Sequence, residues 1–102
     1  YAPAHRYAII SDDVVAPHHA ARVMTALQQL APAEHITLLT LPAGEQHKTR
    51  AEWARLSDEL LAWGAGRDTT ILALGGGVVG DLAGFVAATF MRGVPVVQLP
   101  TT

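Results

Sequence analysis

Residues 69–81 read Thr-Thr-Ile-Leu-Ala-Leu-Gly-Gly-Gly-Val-Val-Gly-Asp. An apolar, β-branched run, Thr69–Leu74, leads straight into three consecutive glycines. The apolar stretch that follows has the composition of a helix, so the junction predicts a buried strand turning directly into a helix. Glycine suits such a turn because it accepts positive φ and has no Cβ to keep a ligand from the backbone. The N–H groups of the helix's first turn then face outward, with the positive end of the helix dipole behind them. The ligand that fits this arrangement is a phosphate, above all the pyrophosphate of a dinucleotide. Gly75-x-Gly77-x-x-Gly80 also matches the dinucleotide fingerprint. One part of that fingerprint is missing. No Asp or Glu lies about 20 residues further on to hold a ribose hydroxyl, where the chain instead reads Val96-Val97-Gln98-Leu99-Pro100-Thr101-Thr102.

Working outward from this turn, four strand patterns alternate with three helix patterns. Strands are expected at Arg6–Ser11, His35–Leu39, Thr69–Leu74 and Val94–Leu99. A first helix is expected from Pro17, which suits a first turn, to about Leu30, with Val23, Leu27 and Leu30 at helical spacing. A second runs from a cap at Thr49 or a neighbour to Trp63, burying Trp53, Leu56, Leu60 and Trp63, and Gly64-Ala65-Gly66 stops it. The third spans Val78–Phe90. The alternation predicts an α/β domain: an open, mainly parallel sheet of about four strands with helices on both faces, a Rossmann-like half. Continuous apolar strands fit a sheet covered on both sides. Ligands of such sheets bind beyond the carboxyl ends of the strands. Asp12, Gly44–Lys48, Gly75–Asp81 and Thr101-Thr102 all follow those ends.

Composition narrows the function. Half of the 102 residues are hydrophobic and 16% are charged, which describes a folded domain and not a disordered chain. A net charge of −2 offers no long-range attraction to nucleic acid or anionic lipid, so neither is expected as a partner. Without cysteine there is no disulfide framework and no thiolate metal site. That fits a reducing compartment, and with no signal-peptide pattern at Tyr1–Arg6 a cytoplasmic location is expected. The start at Tyr1 without Met, and the stop directly after a strand, lead us to expect a fragment of a longer chain.

Several polar residues invite two readings each. Asp12, with Asp13 beside it, can accept bonds from ribose hydroxyls or cap a helix. Glu45 and Lys48, beside Gly44, can grip ribose and phosphate or form an exposed pair worth ~0–1 kcal/mol. Asp81 sits where the helix dipole favours a carboxylate, yet it lies next to an expected anion site. Thr101 and Thr102 offer hydroxyls or simply a turn, and Arg92 offers an anion contact or a snorkelling surface chain. The histidines have no metal-ligand spacing and read as surface residues.

Taken together, Pro42-Ala43-Gly44-Glu45-Gln46-His47-Lys48-Thr49, Gly66-Arg67-Asp68-Thr69-Thr70, Gly75–Phe85, Phe90-Met91-Arg92-Gly93-Val94 and Gln98-Leu99-Pro100-Thr101-Thr102 resemble the N-terminal, NAD-binding part of the 3-dehydroquinate synthase family, in order and spacing. The resemblance covers nearly the whole chain from Arg6 onward. It implies conversion of 3-deoxy-arabino-heptulosonate 7-phosphate to 3-dehydroquinate with loss of phosphate, in the shikimate route to aromatic amino acids. NAD would act catalytically, and a divalent metal, zinc or cobalt, would polarise the substrate oxygens. It implies Asp12 as an adenosine-ribose ligand, and Ala43, Gly44, Glu45, Gln46, His47 and Lys48 as the lining of the NAD site. Gly77, Val78, Val79, Gly80 and Asp81 would hold the pyrophosphate and nearby groups, with Thr101 and Thr102 completing the site. Arg92 would reach the substrate phosphate of a neighbouring subunit in a homodimer.

The family's metal ligands and substrate lysines belong to a helical C-terminal domain that these 102 residues do not contain, so the chain alone is expected to be inactive. Its domain boundary is expected to expose an apolar patch. Two other readings stand beside this one: another sugar phosphate cyclase, and a non-catalytic nucleotide-binding module. Metal-dependent glycerol or alcohol dehydrogenases share the architecture but usually lack the Arg-Gly-Val and Pro-Thr-Thr context.

Overall fold

The computed structural model describes residues 5–101. Its strands are β1 (Arg6–Asp12), β2 (Ile36–Leu41), β3 (Thr69–Gly75) and β4 (Val96–Pro100). They form one sheet in the order β2-β1-β3-β4, with every pair parallel. The helices are α1 (Ala16–Leu27), α2 (Arg50–Trp63) and α3 (Gly77–Thr89). This is the open parallel α/β sheet that the alternating pattern predicts.

Strand pleating divides the core in two. Ala8 and Ile10 of β1 point to one face with Ile71 and Ala73 of β3, where Leu56 and Leu60 of α2 and Val79, Leu82 and Val86 of α3 cover them. Ile9, Leu72 and Leu74 point to the other face, against Ala20 and Leu27 of α1. Helices therefore pack on both faces, which is why β1 and β3 are continuous apolar runs. Leu56 and Leu60 are fully buried, whereas Trp53 and Trp63 at the ends of the same stripe are half-buried.

Local chemistry sets the helix ends. Thr49 Oγ1 accepts from the Glu52 amide at 3.2 Å and caps α2. Gly64 ends α2 in the left-handed region at φ 99°, while Ala65 N–H bonds back to Leu60 O at 3.0 Å. The first helix departs from expectation. It ends at Leu27 and not near Leu30, because the amides of Leu30 and Ala31 both turn back to Leu27 O. Ala31 then enters the core and Leu30 is left 54% exposed. The fourth strand also starts later, at Val96 and not Val94. Val94 N–H is taken by Ala87 O of α3 at 2.8 Å, and Pro95 has no N–H to give the sheet.

Candidate functional site

Because all four strands run the same way, their carboxyl ends share one edge, occupied by Asp12, Leu41, Gly75 and Pro100. The segments that follow them meet there. The β3–α3 turn is built as its glycines predict. Gly75 has φ 153°, and a Cβ on it would lie 3.1 Å from a methyl of Val79. Gly76 is the N-cap and provides no side-chain bond. Gly80 N–H closes the first helical bond, to Gly76 O at 3.0 Å. Helix geometry thus leaves the amides of Gly77, Val78 and Val79 without an intrahelical acceptor. Apart from its chain neighbours and the backbone of its own helix, nothing among the described residues lies within 4 Å of where a Cβ on Gly77 would stand. The Val79 side chain is buried in the core, so only its backbone is available to a ligand.

A cavity of about 240 Å³ opens at this turn, lined by Gly75, Gly76, Gly77, Gly80, Asp81, Gln98 and Pro100. Among the described residues, Asp81 and Gln98 contribute its polar side chains. Gln98 opens the Gln98–Thr102 motif but has no site role in the sequence reading, because its place depends on β4 lying beside β3 with Gln98 opposite Ala73. Thr101 follows the cavity-lining Pro100 and is half-buried. Thr102, also expected in the site, lies outside the described residues.

The β2–α2 loop brings charge to the same edge. Lys48 Nζ lies 3.2 Å from Glu45 Oε1 and 3.2 Å from Asp81 Oδ2. Its pKa is raised from the ordinary value of 10.5, chiefly by the hydrogen bond to Asp81 and then by Glu45. Both carboxylates are well exposed, so the cluster is arranged at the surface and not locked in the core. Lys48 neutralises the carboxylate that looked out of place beside an anion site. Gly44 turns the chain at φ 120° into the short helical turn Glu45–His47, which holds Gln46 exposed and His47 half-buried.

Asp12 and Asp13 order the remaining loops. Asp12 Oδ1 accepts from the amides of Val14, at 2.9 Å, and Val15, at 2.7 Å. Both bonds use one carboxylate oxygen, and the other has no hydrogen-bond partner among the described residues. Asp13 Oδ1 accepts from the Ala43 amide at 3.0 Å, while its own N–H donates to Leu41 O. Asp13 thereby clamps the start of the Ala43–Lys48 loop to the end of β1.

Two further features lie beside this cluster or away from it. A groove of about 260 Å³ runs between α2 and α3, lined by Lys48, Thr49, Arg50, Trp53, Asp81, Leu82 and Phe85. Trp53 Nε1 donates to Thr89 Oγ1 at 2.9 Å, and its ring lies 5.5 Å from that of Phe85. The sequence stripe expected Trp53 to be buried; it packs half-buried against the core and also forms a wall of this groove. Arg92 is not brought to the cavity. It follows α3 and precedes β4, which puts it at the opposite edge of the sheet. There Met91, Arg92 and Gly93 take φ of 49°, 67° and 108° in succession. Side chains rarely accept such φ, at a cost of order 1–3 kcal/mol for each of Met91 and Arg92, whereas Gly93 adopts it freely.

Comparison with known proteins agrees with this fold. The model of the 3-dehydroquinate synthase N-terminal domain matches residues 38–102. The chain belongs to the 3-dehydroquinate synthase family. Among curated family members it is 48% identical over 97 residues to a 3-dehydroquinate synthase of Pelobacter propionicus, covering 95% of this chain and 26% of that one. The chain spans about a quarter of the length of the curated synthases it matches. Among solved structures, a 2-deoxy-scyllo-inosose synthase complexed with carbaglucose-6-phosphate, NAD+ and Co2+ superposes with a TM-score of 0.89 at 34% identity, over 96% of this chain and 26% of that one. A 2-epi-5-epi-valiolone synthase from Streptomyces hygroscopicus subsp. jinggangensis, with NAD+ and Zn2+ bound, gives 0.80 at 28% identity, over 97% of this chain and 27% of that one.

Among the described residues of this family member, no three His, Asp or Glu side chains gather to hold a metal ion. No helix among the described residues is long and apolar enough to cross a membrane.

Proposed function

We propose that this chain is the NAD-binding part of a 3-dehydroquinate synthase. One observation carries the reading: the amides of Gly77–Val79 have no intrahelical acceptor and Gly77 lines an open cavity, beside a Lys48 bridged to Glu45 and Asp81. The polar groups suit a dinucleotide better than a simple phosphate. Backbone amides and a single lysine serve the pyrophosphate. Asp12 and Glu45 would accept from ribose hydroxyls, a task for which a bare phosphate has no use. The lining would further comprise Ala43, Gly44, Gln46, His47, Gly80 and Thr101, with Thr102 after it.

When bound, NAD supplies a hydride acceptor that oxidises a secondary alcohol of a sugar phosphate and afterwards returns the hydride. The residues of this chain bind and orient it. Gly77–Val79 fix the pyrophosphate by backbone donation, and Lys48 offsets the Asp81 charge near it. The described residues hold no ligand cluster for the divalent metal of the family, and its ligands would belong to the remainder of a longer parent. The full reaction, with 3-deoxy-arabino-heptulosonate 7-phosphate as substrate, would be carried out by that parent. The 48% identity to a 3-dehydroquinate synthase favours this substrate over those of other sugar phosphate cyclases.

Arg92 belongs to the same proposal in another way. It lies at the sheet edge remote from its own cavity, and it has no salt-bridge partner among the described residues. A role toward the substrate phosphate of a second subunit in a homodimer accounts for both facts. The reading is tested by titrating the chain with NAD. Saturable binding that Lys48→Met weakens supports it, and no binding by a folded chain contradicts it.

A further inference from the structure

The glycine turn is contacted by Gln98, the first residue of the Gln98–Thr102 motif and one to which the sequence assigns no role. Gln98 stands on β4 opposite Ala73, so its side chain lies on the face that α3 covers. Its Nε2 donates to Gly80 O at 3.3 Å. That carbonyl, with two lone pairs, can take this bond beside its helical one. Gln98 Oε1 also fills the space over Gly80, 2.7 Å from where a Cβ would stand. This contact explains an otherwise costly choice. Gly80 does not have a positive φ, and glycine inside a helix is about 1 kcal/mol worse than alanine. Neither backbone conformation nor helix propensity asks for glycine there; a side chain at this position would have to displace the exposed Gln98 amide from its bond to Gly80 O.

We propose that Gln98 is a positioning residue that holds the first turn of α3 against β4, so that the Gly77–Val79 amides converge on a single point. The proposal rests on the nucleotide-binding reading for its ligand, but the Gly80–Gln98 contact exists without one. It predicts that Gly80→Ala pushes the amide aside and acts on binding through Gln98.

Three variants of the chain test this: Gly80→Ala, Gln98→Ala and the double variant, with Gln98→Glu as a form that keeps the size and lacks the donor. Amide hydrogen exchange at Gly80 and Asp81 is read without ligand. NAD and adenosine affinities and the thermal midpoint are read alongside. Each single variant should speed exchange at both amides and weaken NAD by roughly fivefold to tenfold, as loss of one hydrogen bond to a fixed ligand site does. Adenosine, which has no pyrophosphate, should bind each variant as it binds the original chain. Gly80→Ala should keep or raise the thermal midpoint, since alanine favours the helix. The double variant should bind no worse than either single, because both remove one contact. Losses that multiply, an affinity that falls only in step with the midpoint, or unchanged exchange in Gln98→Ala and Gln98→Glu would each overturn the proposal. Failure of the original chain to bind NAD would instead remove the nucleotide reading and leave the exchange comparison to decide the role of Gln98.

Discussion

Lys48 Nζ stands 3.2 Å from Asp81 Oδ2, joining the loop after β2 to the first turn of α3 across 33 residues of sequence. The contact changes how both residues read. Alone, Asp81 serves the helix dipole and Lys48 pairs with its neighbour Glu45. Together they put one cation between two carboxylates at the mouth of the glycine cavity. Replacing Lys48 with Met should lower NAD affinity about tenfold or more, the scale of a charge-assisted hydrogen bond. The unfolding midpoint should hardly move, because the cluster is exposed. Calorimetric titration and thermal melts of the two proteins check this.

The raised Lys48 pKa gives a pH dependence of definite sign. A cation whose folded pKa lies above its unfolded value contributes stability below the unfolded pKa and loses it as pH rises through the folded one. Lys48 is raised from 10.5, so its contribution is flat through neutral pH and fades only above that value. NAD affinity should show no Lys48-dependent change between neutrality and about pH 10. A Lys48-dependent titration near pH 7 in the wild type, absent from Lys48→Met, would contradict this.

Gly75 and Gly77 should respond oppositely to alanine. A Cβ on Gly75 meets Val79 at 3.1 Å and must sit at φ 153°, so Gly75→Ala should cost more than about 1 kcal/mol in denaturant unfolding. A Cβ on Gly77 meets nothing within 4 Å, so Gly77→Ala should leave stability unchanged or slightly higher. It should nonetheless weaken NAD severely, because the methyl would occupy space kept for the pyrophosphate.

Much of this was readable from the chain, for identifiable reasons. The β3–α3 turn was legible because strand, glycines and helix are adjacent in sequence, and each constrains the next. Thr49 and Gly64 were legible as helix ends because caps act within four residues. Leu30 misled because helical spacing continues past Leu27, while the turn that ends α1 lies in backbone bonds that periodicity does not register. Trp53 and Gln98 were missed as site-lining residues because their surroundings come from other elements, Phe85 and Thr89 for the first and Gly80 for the second. Lys48 and Asp81 were each noticed, but nothing local shows that they meet.

Phe85 is 53% exposed beside Trp53, and Val96 and Val97 are exposed on the outer strand β4. Such a surface promotes association. Phe85→Ser should reduce concentration-dependent self-association of the chain and lower its thermal midpoint only modestly, since the residue is about half exposed and loses its contact with Trp53. Sedimentation velocity over a range of concentrations measures the first, and a melt measures the second.

The central claim is that the Gly77–Val79 amides and Lys48 together bind NAD. Amide NMR of the chain during an NAD titration tests it residue by residue. The account predicts dispersed peaks, with saturable shifts concentrated at Gly77–Asp81 and at Glu45–Lys48. Dispersed peaks that stay in place at those residues would contradict it.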